Sequence, residues 1–116
     1  MLERLREALG SCEEVLLAVV YGSFLDGRAF RDVDVAVYVR GGVDPLDCKL
    51  ELERELSERV GYTVDVKVLN EAPAWFTLKV LESGETLVER VPALAAKLYK
   101  KALDEAARFS RQPGLP

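Results

Sequence analysis

Apolar residues recur along the chain in two rhythms, and together these lay out an ordered series of helices and strands. Leu2, Leu5 and Leu9 fall at helical spacing and Gly10 follows as a stop, which predicts a short N-terminal helix. Val15 to Tyr21 is an unbroken apolar run, as expected of a strand covered on both faces. Asp32 to Val39 alternates instead: Val33, Val35, Val37 and Val39 share one face, while Asp32, Asp34, Ala36 and Tyr38 share the other. The alternation returns over Tyr62 to Leu69, where Val64, Val66 and Val68 oppose Thr63, Asp65 and Lys67.

Turn and cap residues punctuate these runs. Gly22-Ser23 ends the first strand, and Phe24 to Phe30 predicts a short helix or helical turn. Asp44-Pro45 is a strong helix start, a capping carboxylate followed by proline at the first helical position. That helix is expected to reach about Val60, with Leu46, Leu50, Leu52, Leu56 and Val60 as its apolar stripe, before Gly61 ends it. A further helix runs from Pro73 to about Leu81, where the consecutive Trp75 and Phe76 cannot both face one core. Thr86 to Val88 reads as a short strand, Pro92 to about Phe109 as a long terminal helix, and 110–116 as a frayed tail. This order predicts one α/β (α+β) domain over residues 1–116, a mixed sheet with helices on one face and the carboxylates on the other.

Composition narrows the chemistry. The chain has 116 residues, 49% apolar and 31% charged, the balance of a soluble domain with a single core. No apolar run reaches the roughly 18 residues a membrane span requires. The mixed-charge start Met-Leu-Glu-Arg-Leu-Arg-Glu does not resemble a secretion signal, so the expected location is the cytoplasm. There is no histidine, which removes Ser-His and Cys-His nucleophile pairs and His-ligated zinc sites. A net charge of −4 argues against broad nucleic-acid binding, which needs a basic face. Cys12 and Cys48 have no metal-ligand spacing and are expected as free thiols.

Asp32, Asp34 and Asp65 interrupt strands that otherwise belong to a protein interior, and clustered carboxylates call for a counter-charge. Residues two apart on a strand project the same way, so Asp32 and Asp34 can reach a shared metal site, and Asp65 joins them if its strand is adjacent. Magnesium takes one or two carboxylates and completes its shell with phosphates and water. Two such ions about 4 Å apart stabilise both the attacking and the leaving oxygen at phosphorus. Gly22 lets backbone approach a triphosphate, and Ser23 offers a hydroxyl beside free N–H groups. Arg28, Arg31 and Lys67 are the neighbouring cations for the phosphates. Taken singly, each feature has a plainer reading: Asp32 as a turn residue, Asp34 as a solvated strand residue, Ser23 as a helix cap, Lys67 as a partner for Asp65, and the arginines as surface charges. It is their combination that favours a metal site.

Gly22-Ser23, eight intervening residues, then Asp32-Val33-Asp34, with Asp65 on a later strand, resembles the minimal nucleotidyltransferases of the DNA polymerase β superfamily. The resemblance implies their fold and a two-magnesium enzyme that moves a nucleoside monophosphate from ATP or another NTP to a hydroxyl. It assigns metal binding and catalysis to Asp32, Asp34 and Asp65, and phosphate binding to Gly22 and Ser23. Many small relatives are antitoxins that add AMP to a tyrosine of a HEPN-type ribonuclease toxin, which implies such a toxin as partner. Relatives often carry an arginine two places after the serine; here Leu25 stands there, leaving Arg28 or Lys67 to substitute. The rival expectations are a non-catalytic module that neutralises a partner by covering it, and a nucleotidyltransferase acting on a small molecule or an RNA end. The oligomeric state stays open.

Overall fold

The computed structural model describes residues 1–25, 27 and 32–110, and at 109 and 110 the backbone only. Eight elements follow one another: α1 (Leu2–Gly10), β1 (Val15–Tyr21), β2 (Asp32–Val39), α2 (Pro45–Val60), β3 (Thr63–Val68), α3 (Ala74–Ser83), β4 (Glu85–Glu89) and α4 (Leu94–Ser110). The four strands form one mixed sheet in the order β3-β2-β1-β4. β1 runs antiparallel to both β2 and β4, while β2 and β3 are parallel and joined through α2.

Local chemistry sets the element ends. Asp44 caps α2, its Oδ1 accepting the Leu46 and Asp47 N–H groups at 2.9 and 3.2 Å. Gly61 closes the same helix in the left-handed conformation that glycine adopts without penalty. The predicted 24–30 helix meets only a turn at 23–25; Asp26, Arg28 to Arg31 and 111–116 lie outside the described residues.

The valine faces of β2 and β3 pack with β1 residues against α1 and α2, forming the larger core: Leu5, Leu9, Leu52 and Leu56 cover Val20, Val33, Val35, Val37 and Val66. Each such side chain taken from water contributes roughly 1.5–3 kcal/mol. One predicted stripe is corrected here. Leu46 and Leu50 are exposed, at 61% and 54%, and Cys48 takes the inner position with Leu52, Leu56 and Val60. The angle at which α2 docks decides this, and Cys48 lies four residues before Leu52 on the buried face.

Helices also reach the second face. Phe76, Val80 and Leu81 of α3 and Leu94, Ala95 and Leu98 of α4 pack with Leu17, Val19, Tyr21 and Ala36. The expectation of helices on a single face therefore holds for α1 and α2, whereas α3 and α4 cover part of the other. The cause is visible in β1, whose unbroken apolar run needs cover on both sides. Gly84 permits the close approach of α3, because a Cβ there would overlap a Val19 methyl and the carbonyls of Val80 and Val20. Asn70 fixes the entry to α3 by exchanging two hydrogen bonds with the Val39 backbone, at 2.9 and 2.8 Å. Trp75 stays 66% exposed while Phe76 packs inward, as their adjacency requires.

Candidate active site

What α3 and α4 leave uncovered is the carboxylate side of β2 and β3. The parallel register sets Asp34 beside Asp65 and Asp32 beside Thr63, so all three aspartates point to the same face. Asp34 and Asp65 are thus one strand spacing apart, about 4.8 Å between chains. On the other side of Asp34 stands Tyr21, and the next residue is Gly22. Gly22 has φ 87°, and a Cβ there would overlap the Asp34 carboxylate. The glycine is what lets the bend close over the acid.

Tyr21, Gly22, Ser23, Asp34, Asp65 and Lys67 line one side of an open cleft of about 950 Å³. The other wall is the α3 face bearing Trp75, Leu78, Lys79 and Glu82. Such a volume suits a nucleotide-sized ligand. Asp32 is exposed and opens, together with Asp65, onto an adjoining hollow on the α2 side. The Asp65 carboxylate therefore lies between the two.

Electrostatics distinguish the acids. Burial, then the charges of Asp65 and Asp32, push the Asp34 carboxyl above its usual range. Burial would also raise Asp65, but bonding to Lys67 and the charges of Lys67 and Lys49 prevail and hold it below its usual range. Lys67 Nζ is 3.2 Å from Asp65 Oδ2 and Lys49 Nζ is 3.4 Å from Oδ1. Lys49 is itself gripped by Glu53 at 2.6 Å and by the Val66 carbonyl at 2.8 Å. Burial, with Asp34 and Asp65 adding to it, lifts the Tyr21 phenol far above its ordinary value, so it stays neutral.

Among the described residues, no group of three His, Cys, Asp or Glu side chains stands ready to hold a metal ion. Asp65 is instead turned to its two lysines. The donor chemistry still fits a hard divalent cation, which needs only one or two carboxylates when phosphate and water supply the rest. The charged form of Asp34 is disfavoured by burial and by the charges of Asp65 and Asp32, and a cation bound beside it would offset both.

The site thus unites Gly22, Ser23, Asp34, Asp65 and Lys67, with Asp32 at its rim. Arg28 lies outside the described residues. Sequence reasoning missed Lys49, Glu53, Trp75 and Lys79. The last two share a helical face at i and i+4, a signal that becomes useful only once α3 is known to overhang the carboxylates.

No curated protein sequence matches the chain. Solved structures do match its fold. A chain of a toxin–antitoxin complex with AMP-PNP superposes with TM-score 0.80 at 20% identity, covering 94% of this chain and 89% of that one. A chain of the toxin–antitoxin complex MntA–HepT gives 0.75 at 17% identity, covering 94% and 86%. One from the complex of a tri-AMPylated Shewanella oneidensis HEPN toxin with MNT antitoxin gives 0.73 at 17%, covering 95% and 90%. A family model, polymerase beta nucleotidyltransferase, matches residues 3–93, which spans every strand of the sheet and all three aspartates. With the Gly22-Ser23 bend seated on Asp34 and Asp65 one strand away, sequence and geometry agree: the chain belongs to the polymerase β nucleotidyltransferase family.

Proposed function

We propose that the chain transfers AMP from ATP to a hydroxyl of a partner protein, a tyrosine of a HEPN-type toxin, and thereby acts as an antitoxin in the cytoplasm. The observation that carries this reading is the carboxylate face itself: Asp34 and Asp65 in register beside the Gly22-Ser23 bend, lining a nucleotide-sized cleft. Support for acceptor and nucleotide comes from structures of the same fold, which include a complex with AMP-PNP and one with a tri-AMPylated HEPN toxin.

Asp32 and Asp34 would hold Mg2+, two ions in all, with Asp65 as the third carboxylate ligand. Bound there, the ions would neutralise the triphosphate and stabilise charge on the attacking and leaving oxygens. Gly22 and Ser23 would receive the phosphates with backbone N–H groups and a hydroxyl, joined by Lys67 and Arg28. The acceptor oxygen attacks the α-phosphorus, a new P–O bond forms, and the bond to the β-phosphate breaks to release pyrophosphate. Asp65, which lines the cleft, would accept the hydroxyl proton and pass it to solvent at the open side.

Incubating the chain with α-labelled ATP, Mg2+ and a co-encoded HEPN toxin should label the toxin, and Asp32→Ala or Asp34→Ala should abolish labelling while the complex still forms. Labelling that survives in both variants sinks the assignment. The rival, a module that neutralises by covering its partner, draws on one observation: Asp65 is already paired with two lysines. It predicts that an Asp32→Ala/Asp34→Ala double variant neutralises the toxin as well as the unaltered protein.

A further inference from the structure

Three lysines approach the carboxylate face, and they are not equivalent. Lys49 and Lys67 are both committed to Asp65, Lys49 also to Glu53. Lys79 comes from the opposite wall of the cleft, and its amine makes no ion pair or hydrogen bond among the described residues. It is exposed on α3, yet near enough that its charge acts on Asp34 across the gap. Glu82, one turn on, does not claim it; that carboxylate accepts the Tyr99 hydroxyl at 2.7 Å.

The bend opposite supplies no cation from its described residues. Leu25 packs with Phe24 against the larger core, which anchors the bend but brings no charge to it. A triphosphate entering beside three aspartates needs positive charge beyond what a cation on Asp32 and Asp34 supplies. A lysine on a flexible stem is suited to that task as a movable point charge.

We infer that Lys79 adds a further cation to the grip on the β- and γ-phosphates, reaching from α3 across the cleft toward Ser23. This deepens the proposed function and rests on it. The β- and γ-phosphates lie between the α3 wall and the bend, so Lys79 discriminates nucleoside triphosphates from monophosphates. It is a binding and positioning residue and forms no bond in the reaction.

The test uses the full chain with Mg2+, titrated with a non-hydrolysable ATP analogue and separately with AMP. Trp75 is the sole tryptophan and lines the same cleft, so its fluorescence reports occupancy, with calorimetry as a second readout. Lys79→Ala should weaken the triphosphate analogue by about tenfold and leave AMP affinity unchanged, as expected for one charge-assisted contact. Lys79→Arg should restore most of the loss. Triphosphate affinity unchanged in Lys79→Ala, or equal losses for analogue and AMP, overturns the inference. In that event Asp34→Ala decides the wider reading: if it still abolishes Mg2+-dependent binding, the nucleotide site stands and only the role of Lys79 falls. Failure of the unaltered protein to bind the analogue overturns both.

Discussion

Asp34 is under opposing pressures: burial, Asp65 and Asp32 disfavour its charge, while Lys67 and Lys79 favour it. It lies between Tyr21 and Asp65 in the sheet, with Gly22 folded against its carboxylate. Because burial and like charges raise its pKa in the fold, its protonated form is the one the fold favours. The stability this adds is present at low pH and is lost as pH rises through the elevated value. In chelator at neutral pH, Asp34→Asn should therefore melt a few degrees higher than the unaltered protein, with the gap closing as pH falls below the ordinary carboxylate range; calorimetry across pH checks this. The same variant should lose any stabilisation by Mg2+. Gly22→Ala places a methyl on the Asp34 carboxylate and forces alanine to φ 87°. A stability loss of about 1–2 kcal/mol is expected from the backbone alone, measured by urea unfolding, together with loss of nucleotide binding in the cleft.

Among the elements, α2 does two tasks at once. β3 is one of the two edge strands, and α2 side chains meet several of its outward polar groups: Ser57 Oγ accepts the Val64 N–H at 2.9 Å, Glu53 accepts the Val66 N–H at 2.9 Å, and Lys49 donates to the Val66 carbonyl at 2.8 Å. Glu53→Ala strands one of those donors and releases Lys49, so it should cost about 1–3 kcal/mol in denaturant unfolding. Much of α2 is legible in the sequence, because Asp44, Pro45 and Gly61 act on their own neighbours. What is not legible is its rotation. Leu46 and Leu50 are better hydrophobes than Cys48, yet the docking angle buries the cysteine. In the same way Asp32, Asp34 and Asp65 declare themselves by interrupting valine strands, whereas Lys49 and Lys79 gain meaning only from contacts between elements distant in sequence. The alternating valines also predict the carboxylate face correctly, but the share of it that α3 and α4 cover depends on β1, on Ala36 and on the missing side chain of Gly84.

Across the whole molecule, Arg90 joins the N-terminal region to the end of β4. Its Nε donates to the Val15 carbonyl at 2.8 Å, and Nη2 reaches the Gly10 carbonyl and, at 3.2 Å, that of Cys12. One guanidinium thus serves the end of α1, the turn after it and the start of β1. Arg90→Ala should cost about 1–2 kcal/mol and speed amide exchange in α1 well before the central strands respond, which hydrogen-exchange mass spectrometry would resolve. No described helix is long and apolar enough to cross a membrane. The covered margin of β3 bears on how this molecule meets others. With the Val64 N–H and the Val66 N–H and C=O already answered by Ser57, Glu53 and Lys49, the middle of that border offers an incoming strand little to zip onto. Recognition of another protein is thereby steered away from ladder extension there and toward surfaces read through side chains.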